Sequence, residues 1–259
     1  MAGTAKTSQF VLSTATVMLG PVADLHKLTP ATHSIGLVKN FTYTEDPEFK
    51  ELTQGINNDV VMSVKTGSGA RAAMEVYEYT ARNLAYAAGL DGSVVAYDPL
   101  TTLFTTSAAP TGTTVTLSAT PTGLTAGDYI FIQGGYDDLV HIGKIASIAT
   151  NTITLATTHA IPAGMTFPAA SRVGKVLEIS AGVDTPQATM AAKVTAIMPD
   201  TNLPVVLLFP KVKITRGLSV SFSSDNFSNM PFEFTPYASV MADPHYAEFG
   251  PRKFKMFTR

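Results

Sequence analysis

The chain has 259 residues, of which 45% are hydrophobic and 15% charged, and a formal net charge of −2. That length suffices for one large core, or for a core domain carrying a smaller inserted one. The absence of cysteine excludes disulfides, thiolate metal sites and cysteine nucleophiles, and the scattered basic residues provide no track for gripping phosphates.

Charged residues make up about a quarter of an ordinary soluble domain, so copies of this chain repel one another weakly. Such a chain suits a subunit that covers much of its surface with neighbours. No run reaches the roughly 18 apolar residues of a membrane-spanning helix. Lys6 followed by residues 10–19 imitates a secretory leader, but Ser13, Thr14 and Thr16 interrupt its apolar stretch. Residues 1–33 are read as an N-terminal arm.

Residues 34–44 are rich in β-branched and aromatic side chains in partial alternation, the pattern of a half-buried strand. The polar stretch 45–55 breaks it, and strand character returns at 59–66. Gly67-Ser-Gly69 predicts a hairpin turn, since glycine supplies the positive φ such turns need, with residues 72–78 pairing back across it. Residues 80–90 hold the one convincing helix, because Ala81, Leu84, Ala85 and Ala88 fall at i, i+3, i+4 and i+7 on a single apolar face. Thr80 is placed to cap its start, and Gly89 or Gly92 to end it.

Near residue 100 the composition shifts. Residues 101–172 hold only five charged side chains (Asp128, Asp137, Asp138, Lys144 and Arg172) amid many threonines. Short β segments at 113–117, 129–133, 144–148 and 151–155 recur between turn signals. This is the spacing of a small all-β sandwich or barrel, inserted in a surface loop. After Gly174 the earlier pattern resumes, with strands at 175–179, 188–197, 205–209 and 211–215. Leu218, Val220 and Phe222 then alternate with Ser219, Ser221 and Ser223, so one face is buried and the other hydroxyl-lined. A final strand at 231–240 contains prolines that confine it to an edge or to strand ends.

Chemistry is sparsely signalled. None of the five histidines (His26, His33, His141, His159 and His245) forms a His-x-x-x-His or His-Glu-x-x-His pair. Asp137 and Asp138 with His141, and Asp243 with His245, mix carboxylate and imidazole, yet such short-range carboxylates ordinarily bond their own backbone. Phosphate loops and a Gly-x-Ser-x-Gly elbow are missing. The acidic pairs Glu75/Glu78 and Glu48/Glu51 read as solvated faces. No catalytic residue, metal ligand or cofactor is assigned. A carbohydrate-binding module or virion adhesin is the alternative, though tryptophan, a usual sugar platform, is absent.

Several blocks carry a resemblance. Residues 34–45 precede Glu51-Leu-Thr-Gln-Gly55, and Glu75-Val-Tyr-Glu-Tyr79 precedes the alanine-rich helix ending at Leu90. The C-terminal run 212–234 contains Phe222-Ser-Ser-Asp-Asn-Phe227, the most specific part, and is followed by Ala242-Asp-Pro244. Over residues 34–91 and 174–247 the chain resembles the major tail-tube proteins of bacteriophages.

The resemblance implies a mainly β fold. Its core, split as 34–100 and 173–259, would be a β-sandwich or partial barrel with one packed α-helix, contributing strands to a barrel shared between copies. A small all-β domain, 101–172, would be inserted in it. The implied role is structural, with no enzymatic activity and no cofactor: hexameric rings, assembled in the host cytoplasm, stack into the tail's conduit for DNA. Implied partners are further copies, tape-measure, terminator and baseplate proteins, and a sheath if the tail contracts. DNA would pass without specific binding, and no membrane is involved. A long polar loop of that family contacts the adjacent ring, and residues 45–58 match it in position and length. Asp46, Glu48, Lys50, Glu51, Gln54 and Asn57 are therefore stacking candidates. Candidates for the lumen are Glu75 and the face carrying Ser219, Ser221 and Ser223.

Overall fold

The computed structural model of the chain describes residues 15–54, 59–92, 102–135, 138–179, 187–198, 202–219 and 228–258. The fold is mainly β, in antiparallel sheets. The first strands are β1 (Thr16–Pro21), β2 (Val38–Gln54), β3 (Asp59–Val76), β4 (Phe104–Thr105), β5 (Thr114–Thr116), β6 (Tyr129–Gln133) and β7 (Val140–Ala149). They are followed by β8 (Thr152–Leu155), β9 (Arg172–Val176), β10 (Met190–Ile197), β11 (Pro204–Arg216), β12 (Met230–Pro236) and β13 (Lys255–Phe257). The described helices are short: a 3-10 helix Val22–Lys27, α1 (Pro30–His33), α2 (Ala81–Ala87), a 3-10 turn Thr157–His159 and α3 (Tyr246–Phe249). Two compact units result, one of Met1–Tyr97 with Ala181–Arg259 and one of Asp98–Ser180.

The first unit is a curled sheet in the order β1-β10-β11-β12-β3-β2, with β13 beside the start of β11. Period-two alternation sends one side chain in two to the core. In β12, Met230, Phe232 and Phe234 are buried while Pro231, Glu233 and Thr235 are half-buried. The core joins these to Val17, Leu19, Met74, Val76, Ala192, Val194, Phe209 and Ile214, and Tyr86 and Ala87 of α2 complete it. Thr80 caps α2, its hydroxyl accepting from the Asn83 N–H at 3.2 Å. Gly89, at φ +78°, ends the helix in the left-handed conformation.

The opposite face changes character along the sheet. Over β1, β10 and the start of β11, Met18, Ala191 and Leu208 pack under Leu25, Leu28 and Phe249, so these strands are buried on both faces. Over β12 and β3 the same face stays half-exposed and polar.

The second unit is a six-stranded sheet in the order β4-β9-β6-β7-β8-β5. Its two ends are joined as well: Ser107 N–H donates to the Thr116 carbonyl at 2.9 Å and Ser118 N–H to the Thr105 carbonyl at 2.8 Å. Those bonds close it into a small barrel with no free end to the sheet. Val115, Leu117, Ile130, Ile132, Ile145, Ile153, Leu155 and Val173 fill its interior.

Several expectations change. Residues 16–33 are no separate arm, because β1 pairs with β10 from Thr16↔Thr195 to Pro21↔Met190. Residues 45–54 continue β2 and do not form a loop, and Gly67-Ser-Gly69 lies inside β3, opposite Glu48, Pro47 and Asp46. Residues 172–176 belong to the inserted barrel, where Val173 is fully buried between Phe104 and Ile132. The strands expected at 205–209 and 211–215 are one strand, β11. A register shift in β10 between Met190 and Ala192 accompanies Pro210 there, which has no N–H for the ladder. Residues 217–219 are not strand, and residues 220–223 lie outside the described residues.

Candidate functional site: the open edge and the exposed hairpin

β2 and β3 start from the sheet and run on beyond it as a two-stranded ribbon. Their pairing extends from Val38↔Val76 to Gln54↔Asp59, whereas β12 pairs β3 only over Ala72–Val76. The root of the ribbon is anchored. Tyr43 packs its ring on Phe209 at 5.3 Å and on Phe254 at 4.8 Å, and burial, with Glu45 nearby, pushes its hydroxyl pKa up to about 12. Lys253 Nζ donates to the Ser68 carbonyl. Beyond that root, residues 45–53 and 59–66 are exposed on both faces.

Much of that exposed ribbon is apolar. Met62 and Val64 alternate along β3 and so share a face, with Leu52 opposite Met62 on it, while a register shift between Leu52 and Thr53 sets Val60 opposite Thr53. Each is between 47% and 62% exposed, so this stripe is uncovered within one chain. Phe49 and Val61 are exposed as well. A two-stranded ribbon is marginal alone in water, and this one displays side chains that an isolated surface would not select.

The ribbon's outer strand is also an edge. Among the described residues no strand pairs with the free side of β2, whose 17 residues make it the second longest strand. At the sheet's other end β1 is partly covered, since Ile35 N–H donates to the Val17 carbonyl at 3.0 Å. Acidic residues and Pro47 along β2 restrict which strand can add there.

The stacking candidates thus sit on a strand. Asp46, Glu48, Lys50 and Glu51 are exposed on β2, Gln54 is its last residue, and Asn57 lies outside the described residues. Gly67 makes no turn and stands opposite Glu48 in the ribbon. A Cβ there would come within 2.9 Å of Glu48 Oε2, the mobile tip of an exposed side chain.

Of the lumen candidates, Glu75 lies on the polar face of β3, Ser219 is exposed after β11, and Ser221 and Ser223 lie outside the described residues. The charges on that face are largely matched. Glu75 accepts from the Tyr77 hydroxyl at 2.9 Å, and this bond, followed by one from Asn40, lowers its pKa. Lys39 lies 4.8 Å from the Tyr77 ring centroid, and Arg71 stands 3.7 Å from Glu233. Glu78 is occupied separately, accepting the Leu37 N–H at 3.0 Å.

The mixed carboxylate–imidazole runs separate in space. His141 Nε2 bonds the His159 carbonyl at 2.9 Å, and Asp137 lies outside the described residues. Asp243 takes the Val240 N–H at 2.7 Å and Lys211 Nζ at 3.0 Å. The Val240 bond, then Lys211, holds its carboxyl below the usual range against the opposing effect of burial. His245 turns instead toward His26, with ring centroids 5.2 Å apart, and Glu248 joins them. Sequence spacing had no means of finding that group, since His26 and Glu248 are 222 positions apart.

Among the described residues, no helix is long and apolar enough to cross a membrane. No protein-family model matches the chain, and no curated protein matches it either.

Proposed function

We propose that this chain is the structural subunit of a bacteriophage tail tube. Copies join side by side into a ring, expected to be hexameric, whose sheets form one shared barrel. Rings then stack head to tail into a conduit for DNA. The observation behind this reading is the free 17-residue edge of β2, continuous with an uncovered apolar ribbon. Free edges invite strand addition, and closing them in a ring of copies removes the hazard. The ribbon supplies the contact to the next ring, and a head-to-tail contact of this kind propagates without limit. The inserted barrel has no open end to its sheet, so lateral pairing falls to the first unit.

Electrostatics support the same role. A lumen lined with unpaired cations would hold DNA through counterion release. The Glu75 face, where Glu75 accepts from Tyr77 and Arg71 stands beside Glu233, suits passage without retention.

Sedimentation velocity over rising concentration, with other tail proteins supplied, tests the proposal. A discrete ring and larger stacks are expected. A variant with Leu52, Val60, Met62 and Val64 all changed to Ser should keep its fold by circular dichroism and stop at the ring. A species held at 27.4 kDa under every condition contradicts the proposal.

A further inference from the structure

His26, His245 and Glu248 come together from two distant segments. His26 lies on the 3-10 helix Val22–Lys27, and His245 and Glu248 lie three residues apart on the turn that opens α3. One ring nitrogen from each histidine and one Glu248 oxygen all fall within 4.8 Å of one another. His26 Nε2 is 2.7 Å from Glu248 Oε2. We propose that these three side chains form a binding site for a divalent transition-metal ion of the zinc class, independent of the tube assembly.

The donor set selects the metal. Two imidazoles and one carboxylate suit zinc, cobalt and nickel better than calcium or magnesium, and three protein ligands leave a fourth position for water. Ligand atoms around a tetrahedral zinc stand about 3.3 Å apart, so the ion would part His26 and Glu248 slightly from 2.7 Å and draw in the wider separations, which reach up to 4.8 Å. For the ion to take the Nε2 lone pair, the proton between those two groups leaves to solvent from an imidazolium, or moves to Nδ1 in the neutral ring.

The surroundings favour a built site over a chance meeting on the surface. His245 Nε2 lies 2.9 Å from the Val22 carbonyl. A donor bond there fixes the tautomer and leaves Nδ1 with its lone pair, the second-layer arrangement that metal-bound histidines use. The supporting backbone is fixed from beneath, because Leu25 and Phe249 are fully buried in one apolar cluster. The ligands themselves are reachable, His26 being 50% and Glu248 39% exposed. One group opposes a cation: Lys255 Nζ stands 3.5 Å from Glu248 Oε1 and 4.7 Å from the Phe249 ring centroid. A bound ion would pin the 3-10 helix to α3 over the strands they cover, and would stabilise the fold by mass action.

Calorimetric titration of the untagged, chelator-treated full chain with zinc chloride tests this, with cobalt chloride followed by visible absorption. One equivalent is expected to bind saturably, with a rise in unfolding temperature and the intense bands of four- or five-coordinate cobalt. His26→Ala and His245→Ala should each weaken binding by about tenfold or more. Lys255→Ala, which keeps all three ligands and removes the opposing charge, should tighten it, so the test survives if an alanine variant folds poorly. No saturable uptake at submillimolar zinc overturns the proposal. So does uptake unchanged in a folded His26→Ala/His245→Ala double variant, since His33, His141 and His159 remain there to bind adventitiously.

Discussion

Gly217 shows how tightly single positions hold this fold. It follows β11 directly beneath α2, and a Cβ built on it would lie 2.7 Å from Ala87 Cα and 2.9 Å from the Ala87 carbonyl oxygen. Backbone cannot yield as a side-chain tip does, so Gly217→Ala must lift the helix. A loss of about 1–3 kcal/mol is expected, the range for an overpacked core, measured by urea unfolding; unchanged stability would mean that α2 does not seat there. Asp128 gives a pH dependence. Burial alone would raise its carboxyl pKa, but Lys175 at 2.9 Å and the two bonds from Thr125 outweigh this and hold it below 3.8. A depressed folded pKa means stabilisation present above the unfolded value and lost as the pH falls through the folded one. The inserted barrel should therefore weaken below about pH 4. Asp128→Asn should cost about 1 kcal/mol at neutral pH and flatten that acid limb in thermal unfolding; an acid limb identical to wild type would remove Asp128 as its source.

At the scale of elements, legibility in the sequence followed burial. α2 was readable from its cap and terminal glycine, but the face expected from spacing is not the buried one: Ala81, Leu84 and Ala88 are half-buried, while Tyr86, Ala87 and Asn83 join Ala85 in the interior, Asn83 donating to the Ile35 and Glu78 carbonyls at 2.8 Å. Four strands of the inserted barrel were readable from alternation between turns. β4 was not, because two residues carry no period, and β9 was assigned to the other unit because nothing in its own sequence names its partners. The ribbon 45–54 was misread for a different reason. A strand exposed on both faces has no buried face to impose alternation, so its polar composition looks like a loop. The barrel holds a core of its own, which implies that it folds by itself. Residues 98–180 expressed alone, and the chain with them replaced by a short linker, should each unfold cooperatively by calorimetry. A segment 98–180 with no thermal transition would show that its fold is borrowed.

At the scale of the whole molecule, the two units resolve their edges differently. The inserted sheet joins its ends within one chain, while among the described residues the larger sheet leaves β2 open beside an apolar ribbon. Low charge density fits the same tendency, since little repulsion opposes contact between copies. The residues linking sequence to a tail-tube role are spread over both segments of the first unit. The most specific of them, 222–227, lie outside the described residues, and the sheet edge and the ribbon carry the tail-tube reading. Negative-stain electron microscopy of the purified full chain, alone and with other tail proteins, examines this most directly. Rings of one diameter with a central hole, single or stacked into tubes, are expected. A field of separate small particles in every condition would contradict a barrel completed between copies.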